Sequence, residues 1–337
     1  MSAGRRLGLD VLKGVAILLV VFNHALVWPM RAGDRPSAFA YGIAFGTVAA
    51  FAAVAGYVQG LHPPREERAV VTRRAAQLLV PWALWAPVYA AVPFVWRGLG
   101  GGSVPVGLEP WPWARAILLG GGPLWFLTVL FAATAVCALA DTRTSGWWPA
   151  FVALGAYATL AIVCGMAGTS PLEFGAGTFW GVAPLYVAAF WFGLRVARGA
   201  PPTVSHGLLA TIVVSSLVAG GFVTWLRAVQ PDARWLMWLP YAIGLLGGCA
   251  ALLIAVTPGP LTRSAGRSVR IARMFARWGR ASLGIYVLHP VLVAPAALLA
   301  AGRGGVWVAG LIALGCVALG TLAVERLRDV SVLRRVV

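Results

Sequence analysis

The stretch RRLGLDVLKGVAILLVVFNHA, residues 5–25, is the part of the sequence that best predicts the fold. It is an apolar segment interrupted by Asp10, Lys13 and His24. Along a helix, Lys13 and His24 point the same way and lie roughly 16 Å apart. A cation and an imidazole on one face of a membrane helix are costly unless they face a protein interior or a water-filled cavity. We therefore predict a membrane helix with a functional face. The alternative places Asp10 and Lys13 at the aqueous end and makes His24 a satisfied interior histidine.

The composition places the chain in a membrane. Of its 337 residues, 60% are hydrophobic and 11% are charged, which is too apolar for a soluble domain. Stretches of about 20 residues without charges are typical of transmembrane helices. We predict an all-α polytopic membrane protein with about ten transmembrane helices, forming a single integral-membrane domain over residues 1–337 with no separate soluble domain. The predicted spans are 9–28, 38–61, 75–96, 122–140, 148–168, 179–197, 207–226, 235–256, 281–301 and 305–324.

The basic residues predict the orientation in the membrane. The net charge is +17, and the lysine and arginines lie mainly in the connections between apolar segments. With ten spans and the N-terminus inside, 20 of the 27 basic residues fall on the inside and 7 on the outside. Cytoplasmic loops carry such an excess of basic residues. Both termini are therefore predicted to be cytoplasmic, in a multi-pass protein of the plasma membrane. No nucleic-acid-binding motif accompanies the charge, so no nucleic-acid partner is predicted.

Two connections are predicted to contain helices outside the spans. The segment from Gly98 to Gly122 is rich in glycine, proline and tryptophan, and a short interfacial helix is predicted at Trp113–Leu119. The loop from Thr257 to Arg280 is the longest basic loop, and its arginines recur on one helical face. This pattern predicts a cytoplasmic amphipathic helix. Such basic segments suit a phosphorylated cofactor, or topology and contact with lipid headgroups alone.

Several kinds of site are not indicated by the sequence. The four cysteines lie inside apolar segments without a CxxC spacing, so they are predicted to be small buried residues. No cluster of His, Asp and Glu has metal-ligand spacing, and no metal is predicted. No glycine-rich phosphate loop is present either. Chemistry must therefore come from isolated polar groups within the membrane.

Two histidines are the main candidates for chemistry. His24 lies in the outer half of the first span, and His289 lies in the ninth, within ASLGIYVLHPV. Ser282, Tyr286 and His289 are spaced i, i+4, i+7 and share one helical face. Asp10 is about 21 Å from His24 along a straight helix, so it cannot orient that imidazole. The remaining interpretation is a lone histidine base with polar or aromatic partners on other helices.

Four stretches resemble one known family. LDVLKGVAILLVVFNHA resembles the first helix of the membrane acyltransferase 3 family, LDxLRGxAxxxVxxxH, and is especially similar to the branch resembling fucose 4-O-acetylases. The other three, which agree in type and order, are RRAAQLLVPW at Arg73–Trp82, PLWFL at Pro123–Leu127 and SLGIYVLHP at Ser282–Pro290. Two positions depart from the pattern. Lys13 stands where arginine is commoner and lacks the bidentate fork of a guanidinium, and Gln77 stands where many relatives have a second arginine.

The resemblance implies O-acyl transfer from acyl-CoA, most often acetyl-CoA, to a hydroxyl. The expected acceptor is a sugar, a cell-envelope glycan or a glycosylated small molecule. A positioned histidine can take the proton of the hydroxyl as it attacks the thioester, and a covalent acyl-histidine relay is the alternative for that residue. The implied roles are His24 as general base, Lys13, Arg73 and Arg74 as donor-binding groups, and Asp10, Trp125, Ser282, Tyr286 and His289 as substrate-contacting or supporting residues.

Two rival functions are compatible with the same composition. A transporter or flippase for a lipid-linked or small polar substrate would also have ten spans with buried polar residues. A non-enzymatic membrane scaffold would have no need for Lys13 and His24 on one face. Neither rival explains the four motifs in their order, so the sequence favours the acyltransferase.

Overall fold

A computed structural model describes most of the chain. The described residues are 3–27, 35–45, 47–62, 67–98, 110–141, 143–144, 146–167, 169, 180–199, 204–230, 232–233, 236, 238–257, 267–299 and 305–328. Residues 63–66 of the first basic loop, residues 258–266 of the longest basic loop and the C-terminal residues 329–337 lie outside this set, so the predictions made for them are not addressed by the structure.

The described residues form an all-α fold, as predicted, and contain no β-strand. Short 3₁₀ turns at Gly122–Leu124 and Trp180–Val182 lead into α6 and α8. The α-helices are α1 (Ala3–Val27), α2 (Arg35–Phe45), α3 (Thr47–Gly60), α4 (Glu67–Gly98), α5 (Pro110–Leu118), α6 (Trp125–Asp141), α7 (Trp148–Met166), α8 (Ala183–Arg198), α9 (His206–Val229), α10 (Leu239–Val256), α11 (Arg267–Arg280), α12 (Ser282–Leu299) and α13 (Gly305–Arg328).

Seven segments within the described residues are long and apolar enough to cross a membrane. Two further apolar helices, α6 and the Ser282–Val293 part of α12, are shorter. Helix α4 is longer than any of these and is not among the seven. Each predicted span overlaps a helix, while the total of ten spans remains a prediction. The seven segments are Leu7–Leu26, Ala38–Gly60, Trp148–Met166, Trp180–Arg198, His206–Val229, Leu239–Val256 and Val306–Leu327.

The helices agree with the sequence prediction in the span at 38–61 and in two connections. The span predicted over 38–61 is found as one apolar segment, Ala38–Gly60, whose described parts are α2 and α3. The interfacial helix predicted at Trp113–Leu119 is found as α5, and the basic helix is found as α11. These two helices could be predicted because their apolar and polar residues separate onto opposite faces at the helical period.

Helix α1 lies at the centre of the packing. It packs against α2, α3 and α10 to α13, whereas α4 packs against α5, α6 and α12. Glycines allow the closest of these contacts, since a Cβ atom built on Gly14 would lie 1.9 Å from the Phe275 carbonyl oxygen of α11. A Cβ atom on Gly279 of α11 would lie 1.8 Å from the Asp10 carbonyl oxygen of α1. The backbones of α1 and the basic helix α11 are thus in direct contact at these two glycines.

The orientation has a direct test. With an even number of spans and a basic inner side, reporter fusions placed after Arg74 and after Arg335 should both report the cytoplasm. A fusion within 99–109, between α4 and α5, should report the opposite side and serves as the control. An extracytoplasmic signal from the Arg74 or the Arg335 fusion would contradict the predicted topology.

Candidate active site

His24 lies near the C-terminal end of α1, with its ring held against its own helix. Its Nδ1 lies 2.8 Å from the Val20 carbonyl oxygen, one turn earlier. A carbonyl oxygen can only accept a hydrogen bond, so Nδ1 carries the proton that is donated. In the neutral ring, Nε2 is then the nitrogen with the free lone pair. The His24 side chain is only half-buried. Its Nε2, the nitrogen suited to act as a base, therefore belongs to a partly exposed side chain.

His289 is fixed by the proline that follows it. Pro290 lies inside α12 and has no N–H, so it leaves the Tyr286 carbonyl without its usual helical donor. The His289 Nδ1 lies 2.6 Å from that carbonyl oxygen and replaces the missing donor. His289 is fully buried, and its Nε2 has no hydrogen-bond partner among the described residues. The His-Pro pair therefore sets both the orientation and the tautomer of this imidazole.

The two histidines form one site. The ring centroids of His24 and His289 are 4.7 Å apart, in a T-shaped arrangement with an interplanar angle of 68°. This contact joins the first and the last of the four sequence motifs across the interface of α1 and α12. His289 is fully buried at this contact, whereas His24 is only half-buried.

Helix α12 is held at the same level by two other helices. The Tyr89 hydroxyl of α4 donates a hydrogen bond of 2.5 Å to the Val287 carbonyl oxygen. The Phe126 backbone N–H at the start of α6 donates to the Tyr286 hydroxyl oxygen over 3.2 Å. The segment around His289 is thus contacted from α1, α4 and α6 together.

Aromatic rings extend this site toward α8. The Tyr286 ring lies 5.5 Å from that of His289 and 6.0 Å from that of Phe126. Trp125 lies 5.8 Å from Phe126 and 5.4 Å from Tyr186, measured between ring centroids. The predicted site residues Trp125 and Tyr286 therefore belong to the His24–His289 neighbourhood. Such rings supply large apolar contact surfaces, and tyrosine and tryptophan also carry a polar tip.

Ser282 is not part of this cluster. It is buried at the first position of α12, seven residues before His289. That separation corresponds to roughly 10 Å along the helix axis. Ser282 shares the face of Tyr286 and His289, as predicted, but it lies about two turns away from the imidazoles.

Lys13 belongs to a separate ionic cluster at the other end of α1. Its Nζ lies 2.8 Å from Oδ1 of Asp10, and Arg280 Nη1 of α11 lies 3.8 Å from Oδ2 of the same carboxylate. One carboxylate between two cations leaves the cluster with a net positive charge. Asp10 thus positions Lys13 and meets α11, and it does not orient His24, in agreement with the sequence prediction.

Arg73 and Arg74 lie in the first turns of α4. Arg73 is exposed, whereas Arg74 is partly buried and donates from Nη1 to Oε1 of Gln77 over 3.2 Å. Burial, together with the neighbouring Arg73 charge, lowers the pKa of Arg74 from its ordinary value. An arginine remains protonated even so. Each guanidinium is suited to bind an anion through paired N–H donors.

Lys13 and the pair Arg73 and Arg74 lie on two different helices. Lys13 is on α1 and the two arginines are on α4, and α12 packs against both helices. Among the described residues, no group of three or more His, Cys, Asp or Glu side chains could hold a metal ion. An apolar cavity of about 100 Å³ lies along another face of α1, lined by Leu12, Leu19 and residues of α2, α3, α9 and α10. His24 does not line it.

The sequence of the chain matches one known protein family. The model of the acyltransferase 3 family, described as an acyltransferase domain, matches residues 6–325, which is nearly the whole chain. The chain belongs to the acyltransferase 3 family. No curated protein and no solved structure gave a match. The chain is accordingly a membrane acyltransferase, and its two histidines belong to an acyltransferase 3 protein.

Sequence reasoning missed three groups around this candidate site. Phe126 was quoted only as part of PLWFL, although its N–H holds Tyr286. Tyr89 gave no signal, since a single tyrosine in an apolar helix is common. Arg280 was recognised as part of a basic helix, but its contact with Asp10 depends on how α11 packs on α1.

Proposed function

We propose that this protein transfers an acyl group, such as acetyl, from acyl-CoA to a hydroxyl of a sugar, a cell-envelope glycan or a glycosylated small molecule. One observation carries the proposal. His24 is a partly accessible imidazole whose Nδ1–H is bonded to Val20, which leaves Nε2 as the base. The similarity of the first motif to the fucose 4-O-acetylase-like branch supports a sugar acceptor.

The proposed reaction uses His24 to move one proton. The acceptor oxygen attacks the thioester carbonyl carbon while Nε2 of His24 takes the hydroxyl proton. The carbon–sulfur bond then breaks, the acyl group stays on the acceptor oxygen, and the proton passes to the CoA thiolate. The Asp10, Lys13 and Arg280 cluster and the pair Arg73 and Arg74 supply the positive charge for the donor phosphates. Lys13 keeps two ammonium N–H groups for this purpose beyond its bond to Asp10.

The decisive assay follows thioester consumption. Purified protein in detergent is mixed with acetyl-CoA, with and without candidate glycosides, and the free thiol of CoA is measured. Acceptor-dependent release of CoA is expected. A protein that moves a labelled glycoside across vesicles without consuming thioester would be a transporter, and the proposal would then be wrong.

Donor binding at α4 can be tested by one substitution. Arg74→Ala removes a partly buried guanidinium from the predicted donor side, so the KM for acyl-CoA should rise about tenfold, as expected for one lost charge-assisted hydrogen bond. The KM for the acceptor should stay within about twofold. Arg68→Ala is the matched control, because Arg68 is an exposed arginine in the first turn of the same helix. An unchanged donor KM in Arg74→Ala would show that this arginine is only a structural anchor.

A further inference from the structure

The basic helix α11 has two different sides. Ala272 and Ala276 are buried, and Gly279 of the same helix meets α1. Arg270 and Arg273 are exposed on the part of the helix that does not meet α1. The predicted amphipathic helix therefore uses its small residues for the protein and leaves its arginines available to another partner.

A cleft lies between these arginines and α13. Its volume is about 400 Å³, and it is lined by Arg270, Arg273 and Arg277 of α11 and, on its apolar side, by Met274, Ala318 and Leu322. Arg277 is bonded to the Glu325 carboxylate of α13, with a distance of 2.7 Å from its Nε. This bond raises the pKa of Arg277. Three guanidiniums and one carboxylate leave the cleft with an excess of positive charge.

The apolar side of the cleft continues along α13. Leu311, Leu314 and Leu322 are 70%, 45% and 51% exposed, and with Ala318 they follow one side of the helix at three- and four-residue intervals. Helix α13 contains a segment long and apolar enough to cross a membrane. The basic cleft opens onto an exposed apolar stripe. The cleft can therefore complement the anionic headgroup of a phospholipid, and the stripe can complement its apolar chains.

We propose that the cleft between α11 and α13 binds an anionic phospholipid of the inner leaflet. The phosphate lies between Arg270 and Arg273, and the acyl chains follow the leucine stripe of α13. Guanidiniums recognise phosphate through paired N–H donors, and basic residues at the cytoplasmic surface of membrane proteins are attracted to anionic lipids. This site is separate from the His24–His289 pair, and it does not depend on the proposed reaction.

Native mass spectrometry of the full-length protein in mixed micelles tests this proposal. Micelles containing phosphatidylglycerol should leave one lipid bound, while phosphatidylcholine at equal concentration should not. The double variant Arg270→Gln/Arg273→Gln should bind phosphatidylglycerol about 10- to 30-fold more weakly, since it removes the charge-assisted hydrogen bonds that both guanidiniums donate to the phosphate. Arg326→Gln is the matched control. It removes one exposed charge at the same end of α13, outside the cleft, and should change binding less than about twofold.

A second variant separates a built site from general surface charge. Ala318→Trp fills the apolar side of the cleft and leaves every arginine in place, so it should also weaken phosphatidylglycerol binding about tenfold. Undiminished binding in Ala318→Trp would overturn the proposal, because charge alone would then account for the lipid. Binding of inorganic phosphate as tight as the binding of phosphatidylglycerol would also overturn the proposal and identify a free-phosphate site. Equal loss in Arg326→Gln and the double variant would exclude a specific cleft.

Discussion

Replacing His24 with alanine is expected to lower kcat by about 10²–10⁴-fold, the usual contribution of a positioned general base. The protein should still fold and insert, because His24 is only half-buried and its one hydrogen bond is to Val20 of its own helix. The measurement is steady-state release of CoA thiol by purified protein, compared at equal amounts of monodisperse protein. Retention of most of the activity by His24→Ala would contradict the role of His24 as the base.

Two further variants identify what the imidazole does. His24→Gln should not restore activity, since an amide can donate to the Val20 carbonyl but cannot take up a proton. Recovery with glutamine would indicate a structural hydrogen bond instead. His289→Ala is expected to cause a smaller loss of kcat together with lower thermal stability, because it leaves the Tyr286 carbonyl without a donor. If His289→Ala abolished turnover and His24→Ala did not, the two histidines would exchange roles.

The sequence predicted the helices well because hydrophobicity alone determines most of them. A charge-free apolar segment has to form its backbone hydrogen bonds internally when it is in lipid, so the class of fold follows from composition. The span predicted over 38–61 accordingly corresponds to one apolar segment, Ala38–Gly60. The packing of α11 on α1 was not predicted, because it depends on glycines at 14 and 279 that are distant in the sequence.

The site could be predicted only in part. The motifs identified His24 and His289 separately, and their contact arises from the packing of α1 on α12. Helical spacing placed Lys13 on the face of His24, but it could not show that Arg280 would share the Asp10 carboxylate. The close spacing of Asp10 and Lys13 was readable in the sequence, since side chains three residues apart are neighbours on a helix. Contacts between distant helices are the part that local patterns do not contain.

The second large effect is expected at Gly14, which lies directly after Lys13 in the first motif. A Cβ atom there would lie 1.9 Å from the Phe275 carbonyl oxygen, and that atom belongs to the backbone of α11. A backbone cannot move aside as a flexible side chain can, so Gly14→Ala forces the two helices apart. The expected loss of stability is about 1–3 kcal/mol, as for other overpacked interiors. Thermal unfolding of purified protein in detergent measures it as a lower midpoint.

Gly315→Ala provides the matched control, since nothing lies within 4 Å of the position of its Cβ atom. Alanine favours a helix over glycine by about 0.5–1 kcal/mol, so this change should leave the midpoint unchanged or raise it slightly. Gly14→Ala should also raise the KM for acyl-CoA, because α11 brings Arg280 to the Asp10 carboxylate that holds Lys13. A Gly14→Ala protein with the wild-type midpoint and the wild-type donor KM would show that α1 and α11 are not in backbone contact. Loss of stability in Gly14→Ala alone, with Gly315→Ala unaffected, would establish that the small residue of the first motif is required because another helix occupies the space of its missing side chain.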